Sequence, residues 1–461
     1  MNTFLIPIIA LAWIIAACDA GVRHGQQTPP NFIFLLTDDH RWDALGAMGN
    51  PVIKTPNLDG LARDGILFTN AYVTTSICAV SRASILSGQY MSRHGIRDFN
   101  TSFSPDALAL TYPALLKEAG YSIGFTGKYG VGDPADQPIG LYDFWACEPL
   151  YQPKYEMTDA EGNYLHHTDK VGADILDFLE QFGRRGPFCL SVSFKAPHVQ
   201  DIDPRQFIPH PRYEAMYADD SIAAPPTADP AYWEAFPAFF RTEDNIARVR
   251  WHMRFGNPGM HQESVRNYYR LLTGVDDVVG SMLEKLRELG LEDNTVIIFT
   301  GDNGFFLGEH GLAGKWYGYE ESIRVPLILR YPGLDNGLKG KRSKIVALNI
   351  DIAPTILSMA GLTAPAVMQG VDLLAMIADP ALQRSDFFYE HTFMGSPQIP
   401  VHEGVISPGI KYLVFTEHGY EELFDLRTDP LETVNLAGEP AYAQMLDSLR
   451  MRYKDLKAAV R

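Results

Sequence analysis

The sequence is poor in cysteine and in positive charge. Four cysteines (Cys18, Cys78, Cys147 and Cys189) in 461 residues cannot build a disulfide framework, so a cysteine that matters here matters for its chemistry. Lys and Arg number 39 against 56 Asp and Glu, a formal net charge of −17. That balance argues against nucleic acid as a partner and leaves a polyanion only a local basic cluster to bind. Internal repeats and low-complexity tracts are absent. What is present is a globular composition, 46% hydrophobic and 21% charged. The length accommodates one large α/β domain or two to three smaller ones.

The N-terminus reads as an address. Residues Phe4 to Ile15 are apolar and run into Ala16-Ala17-Cys18, followed by a polar linker, 19–30. So short an apolar run ending in small residues is expected to be a secretory signal peptide, too short for a stop-transfer helix. The small-small-Cys ending resembles a bacterial lipobox, although Met1-Asn2-Thr3 carries no Lys or Arg. The expectation is an exported lipoprotein, periplasmic or at the cell surface, held to the membrane only by lipid on Cys18.

Four apolar runs each end in conspicuous polar residues. Asn31–Thr37 leads to Asp38-Asp39, Tyr121–Thr126 to Gly127-Lys128, Pro187–Phe194 to Lys195 and His198, and Asn294–Thr300 to Asp302-Asn303. Continuous apolar runs of this length suit strands buried on both faces, as in a mostly parallel sheet. Helical periodicities separate them, starting at Thr111, at Thr168 and at about Ser264, the last reaching Leu289. The spacing predicts a large, mostly parallel α/β sheet flanked by helices on both faces, with ligands beyond the carboxyl ends of the strands. Residues 31–375 would form this domain, with 201–262 an irregular insertion over the site. Residues 376–461 would form a smaller C-terminal subdomain of short antiparallel strands, near 409–415 and 421–425, and a closing helix over 441–460.

The segment Ser76–Gly88 carries the sharpest chemistry. Thr74 to Ser76 are expected to cap a helix that begins at Cys78, with Arg82 four residues on along the same face. A helix N-terminus with an adjacent guanidinium is an anion cradle around a nucleophile. An isolated C-x-x-x-R, however, is more often a small buried cysteine with a surface arginine.

This cysteine is not isolated, and here the chain resembles the formylglycine-dependent sulfatases of the alkaline phosphatase superfamily. Their signature C-x-P-S-R-A-x-L-x-[ST]-G is matched by Cys78, Ser81, Arg82, Ala83, Ile85 or Leu86, Ser87 and Gly88, with Val80 where the family has proline. The resemblance runs from Pro30 to about Leu436. It implies oxidation of Cys78 to formylglycine by a maturation enzyme, and a diol at position 78 as nucleophile. Asp38, Asp39, Asp302 and Asn303 match the family's metal ligands beside Cys78. Three carboxylates and an amide oxygen favour one calcium ion over zinc or copper. Lys128 and Lys315 match its sulfate-binding lysines. His198, in Ala196-Pro197-His198, matches the histidine that serves the leaving oxygen, a task suited to imidazole.

Gly130 stands where many members have a histidine that turns over the covalent intermediate. His310 is the candidate replacement, set against a plain loop role. The implied activity is hydrolysis of a sulfuric ester on a sulfated glycan. Two other readings stay open: a phosphodiesterase or phosphonate monoester hydrolase on the same scaffold, and an unconverted, non-catalytic glycan-binding homologue. Trp251, His252, Arg254, Arg93 and His94 are further candidates for the pocket. Asn349–Thr355, the block around Glu320, Glu321 and Arg324, and Leu423–Leu436 read as scaffold.

Overall fold

The computed structural model describes residues 29–392 and 399–461; the segment expected to be a signal peptide, with its expected lipid attachment at Cys18, lies outside the described residues. An eight-stranded sheet forms the centre. Its strands are β1 (Asn31–Asp38), β2 (Ile66–Tyr72), β3 (Ser122–Gly127), β4 (Phe144–Cys147), β5 (Phe188–Pro197), β6 (Thr295–Gly301), β7 (Leu327–Arg330) and β8 (Lys341–Leu348), in the spatial order β8-β2-β7-β6-β1-β5-β3-β4. All neighbouring pairs are parallel except those of β7, which runs antiparallel to β2 and β6.

The continuous apolar runs are explained by burial on both faces. Along β1, Phe32, Phe34 and Leu36 enter one core while Ile33 and Leu35 enter the other. The first core is covered by helices α1 (Cys78–Ser87), α2 (Tyr112–Glu118) and α6 (Ile352–Met359). The second is covered by α3 (His167–Phe182) and α5 (Pro258–Glu288). Helix α5 starts six residues before the expected Ser264, with Asn257 capping the Met260 N–H and Pro258 opening the first turn.

The 201–262 segment is not irregular throughout. It contains α4 (Ile246–Arg254), capped by Asn245, besides the start of α5. The weak apolar period of α4 reflects a helix that buries few of its side chains, chiefly Ala247 and Arg254. A separate antiparallel sheet of β9 (Phe387–His391), β10 (His402–Ile406), β11 (Ile410–Phe415) and β12 (Tyr420–Asp425) packs under helix α7, Ala443–Ala459 in a chain whose α6 precedes it. Among the described residues no helix is long and apolar enough to cross a membrane.

Candidate active site

The parallel strands place their polar ends together. Asp38 closes β1 and Asp39 follows in a left-handed conformation (φ 67°), which turns the chain so that the two carboxylates sit side by side. Asp302 follows β6 and is tied to this turn by its N–H, which donates to Thr37 O, and by its Oδ1, which accepts from the Asp39 N–H at 3.1 Å. Lys128 follows β3. There Gly127 (φ 88°) passes so close to β5 that a Cβ would meet Ser193 O at 2.1 Å, so only glycine fits.

Cys78 opens α1, and all ten residues of that helix are buried. The cap differs from expectation. The hydroxyl of Thr75 donates to Glu390 O, Ser76 Oγ bonds the Tyr389 hydroxyl, and Ile77 occupies the cap position with no side-chain cap. The first N–H groups of α1 are thereby left to face whatever lies beside Cys78. Ser81 Oγ accepts from Asn349 Nδ2, which fixes the helix against the scaffold.

Arg82 is the hub of the cluster. Its Nε donates to Asp302 Oδ2 at 2.8 Å, its Nη1 to Lys128 O at 2.5 Å and to Ser193 Oγ, and its Nη2 lies 3.5 Å from Asp38 Oδ2. Lys128 Nζ bonds Asp38 Oδ2 and lies 3.8 Å from Cys78 Sγ. Lys315 Nζ is 2.5 Å from Asp39 Oδ1. Asn303 Nδ2 donates to the same oxygen at 2.6 Å.

Three acids and three fixed cations are thus buried together. The Asp38 Oδ1, Asp39 Oδ2 and Asn303 Oδ1 atoms are buried with no hydrogen-bond partner. Asp38, Cys78 and Asp302 offer ligand atoms within 4.8 Å of one another, as do Asp38, Asp39 and His198. Unpartnered buried oxygens cost free energy, so their convergence suits a hard cation.

The electrostatics follow from burial and pairing. Burial works to raise the Asp38 pKa, but Lys128, His198, Lys315 and Arg82 outweigh it and hold the carboxyl well below the usual range. Burial, with the Asp38 charge, lifts Asp302 to about 6. Burial pulls Lys315 down, yet Asp39 and its neighbours raise it overall. The Cys78 thiol is pushed up by burial against the pull of Lys128 and Lys315, so the unmodified side chain is a neutral thiol at pH 7.

His198 is driven to about 4 by burial and is neutral at pH 7. Its Nδ1 lies 2.6 Å from Val199 O, so the ring proton sits on Nδ1. Nε2 is then a bare acceptor, 3.3 Å from Gln152 Nε2 and 3.6 Å from Asp39 Oδ2.

A cavity of about 450 Å3 opens above this cluster, with Cys78, Lys128, His198 and Lys315 at its base. Its walls include Asp98, Tyr151, Gln152, Asp201, Arg250 and Trp316. None of these wall residues was singled out from the sequence; Trp316, beside Lys315, was the one with a usable signal. His310 is not among the lining residues. It adopts φ 54° and packs its ring against Tyr232, Phe236 and Tyr319. Gly130 does line the cavity. At φ 68°, a Cβ there would meet Arg82 Cδ at 3.1 Å and Lys128 Cε at 3.2 Å, so a side chain at this position would press on the anion cradle.

The other pocket candidates face elsewhere. The ring of Trp251 lies against the Arg248 guanidinium and the ring of His252. Arg93 donates to Arg461 O, and His94 bonds Ser84 Oγ. Arg254 is buried behind the wall, where it holds Asp201.

Comparison with known proteins agrees with this geometry. The family model described as sulfatase matches residues 30–362. A second, described as the C-terminal region of N-sulphoglucosamine sulphohydrolase, matches 308–459. An N-acetylglucosamine-6-O-sulfatase of Bacteroides thetaiotaomicron is 27% identical, with 98% of this chain and 91% of that protein covered. An ulvan-active sulfatase of Formosa agariphila is 28% identical, with 97% and 86% covered. Among solved structures, one in complex with its substrate D-glucosamine-2-N,6-O-disulfate aligns with a TM-score of 0.79 and 26% identity, covering 94% of this chain and 98% of that one. The chain belongs to the sulfatase family, the sulfuric ester hydrolases of the alkaline phosphatase superfamily.

Proposed function

We propose that the protein hydrolyses a sulfate ester on a sulfated carbohydrate, with residue 78, oxidised from cysteine to formylglycine, as nucleophile. The observation that carries this reading is the convergence of three buried acids and three fixed cations around Cys78, beneath a cavity whose base is lined by Cys78, Lys128 and Lys315. The neutral, buried thiol supports it further, because unmodified Cys78 has no thiolate with which to attack. As the aldehyde hydrate, position 78 supplies a hydroxyl for attack on sulfur and a second one for expelling sulfate.

Arg82, Lys128 and Lys315 would hold the ester's anionic oxygens, and the free N–H groups of α1 would face the same charge. His198 Nε2, which carries no proton of its own, would take one from solvent as the ester's negative charge settles beside it, and would give that proton to the departing alcohol oxygen. Asp38, Asp39, Asp302 and Asn303 would hold one calcium ion, since the unpartnered atoms there are all hard oxygens. Such an ion supplies charge stabilisation for the sulfate oxygens and the nucleophile. The six paired side chains sum to zero charge, so a divalent ion would leave the site two units positive, matched to an anionic ester and an ionised nucleophile.

The relatives that act on N-acetylglucosamine 6-sulfate and on ulvan support a saccharide substrate over a small aryl sulfate. The N-terminal sequence supports export and lipid attachment at Cys18, which would put the enzyme where sulfated polysaccharides are met.

The test is release of inorganic sulfate from a panel of sulfated saccharides, together with the mass of the peptide that contains residue 78 from the native host. The expected outcome is an aldehyde-bearing peptide, and a loss of roughly 10^4-fold or more in turnover in Cys78→Ala with unchanged folding. Near-wild-type turnover in that variant would remove the nucleophile. Faster cleavage of a phosphodiester or phosphonate monoester than of any sulfate ester would reassign the reaction.

A further inference from the structure

We infer that Arg250 is a specificity-determining residue that reads a second anionic group on the substrate, a sulfate or carboxylate in addition to the ester being cleaved. The inference rests on the cavity of the proposed hydrolase site and concerns its wall, where no part of the proposed reaction is assigned.

Two of the three charged wall residues are already satisfied. Asp98 is turned into its own loop, where Oδ1 accepts from the N–H groups of Asn100 at 2.9 Å and Thr101 at 2.7 Å. Asp201 is shared between two arginines. Its Oδ1 accepts from Arg254 Nη2 at 2.9 Å, and its Oδ2 lies 3.3 Å from Arg250 Nη2. Arg254 is the stronger partner: it is fully buried and is fixed from behind by Gln206 Oε1 at 2.9 Å.

Asp201, Arg250 and Arg254 together therefore carry one positive charge in excess, and of the two arginines Arg250 is the one that lines the cavity. Its guanidinium lies over the Trp316 indole, 4.7 Å from the ring centroid. Its long contact to Asp201 is its one hydrogen bond to protein among the described residues. A planar fork held over an aromatic face at the lining of a cavity, with one N–H spent on a long contact to protein, suits bidentate binding of a carboxylate or sulfate. Trp316 follows Lys315 directly, so the surface that orients Arg250 is continuous with the group that would grip the scissile sulfate. A cavity of about 450 Å3 is in the size class that encloses a small saccharide. The second anion would therefore sit on the same sugar ring or the next.

Two measurements test this and separate it from the hydrolase reading. In Cys78→Ala protein, calorimetry compares N-acetylglucosamine 6-sulfate with glucosamine 2-N,6-O-disulfate and with a disaccharide that joins the 6-sulfated sugar to a uronic acid. At least one of the two dianionic ligands is expected to bind about 10- to 100-fold tighter than the monosulfate. Adding Arg250→Ala should abolish that preference, and Arg250→Lys should restore part of it. The arm that shows the preference identifies the second anion as sulfate or carboxylate. In the active enzyme, the ratio of kcat/KM for the preferred dianionic sugar over 4-nitrophenyl sulfate should fall by the same factor in Arg250→Ala, mainly through KM. Equal affinity for all three ligands, or a preference that survives Arg250→Ala, overturns the inference. A binding preference that depends on Arg250 in a protein that releases no sulfate would uphold the inference and overturn the hydrolase reading instead.

Discussion

Two buried ionic clusters in this molecule resemble each other in composition and differ in purpose. The first joins Asp38, Asp39 and Asp302 to Arg82, Lys128 and Lys315 at the strand ends. The second joins Glu320, Glu422 and Glu432 to Lys411 and Tyr319, where the C-terminal sheet meets the segment after Lys315. Lys411 Nζ lies 2.7 Å from Glu432 and 3.0 Å from Glu320, and the Tyr319 hydroxyl donates to Glu422. In the first cluster, oxygens of three different residues are left without partners below an open cavity. In the second, the Glu320 N–H donates to Glu432 Oε2, the otherwise unpartnered Oε1 atoms of Glu320 and Glu432 both face the Lys411 ammonium, and Glu320 also borders a separate cavity. Burying charge is costly in both. The first keeps unpartnered acceptors beneath a cavity, as a cation site would, whereas the second turns its acids onto one lysine and so clamps one part of the chain to another.

The largest test of this contrast is removal of the proposed ion. Dialysis against EGTA should lower activity at least about tenfold and lower the unfolding temperature, because a ligand bound only by the folded state stabilises it by mass action. Added CaCl2 should restore both. An enzyme indifferent to EGTA would leave the first cluster as another clamp and erase the distinction.

A smaller but still large effect is expected on the other side. Burial pulls the Lys411 ammonium down, but Glu320 and Glu432 outweigh it and keep it protonated. Lys411→Met would strand two buried carboxylates, at a cost of about 3–5 kcal/mol read by urea unfolding. The remaining folded fraction should still turn over substrate and still respond to EGTA. Loss of calcium dependence in this variant would mean that the clusters are coupled through Lys315 rather than separate.

Which cluster was legible in the sequence, and why, follows from how each is built. The first is made by strand ends: an apolar run long enough to be buried on both faces forces its next polar residue to the sheet edge, so Asp38, Lys128, His198 and Asp302 could be placed together. The walls of the cavity come from loops and from α4, where no such rule applies. On α4 the sequence pointed to Trp251 and His252, whereas Ile246 and Arg250 face the cavity, four residues apart on one side of the helix. Arg254, four residues further, continues that side but is buried behind Asp201. His310 was misplaced for a related reason. Its neighbours in sequence lead to Lys315, but its left-handed backbone turns the ring into an aromatic cluster. The helix cap failed because Thr75 and Ser76 spend their hydroxyls on the C-terminal sheet, a contact about 315 residues away in sequence.

The smallest effect concerns pH, and it tests whether the second cluster carries the strain expected of three buried acids set against one lysine. Burial raises the Glu422 carboxyl to about 8, against the favourable hydrogen bond from Tyr319 and with a further push from Glu432. In the unfolded chain it titrates near the ordinary glutamate value of 4.5. Between these two values the folded protein holds a proton that the unfolded chain has released, so stability falls as pH rises through the window. From pH 6 to 8 this one group should cost about 2 kcal/mol, an upper figure given one pKa unit at about 1.36 kcal/mol. Glu422→Gln keeps an oxygen to accept from Tyr319 and removes the titration, so its stability should decline less steeply than that of the wild type between pH 6 and 8. Parallel pH profiles for the two proteins would mean that Glu422 is ionised in the fold, and that the second cluster, like the first, balances full charges rather than excluding one.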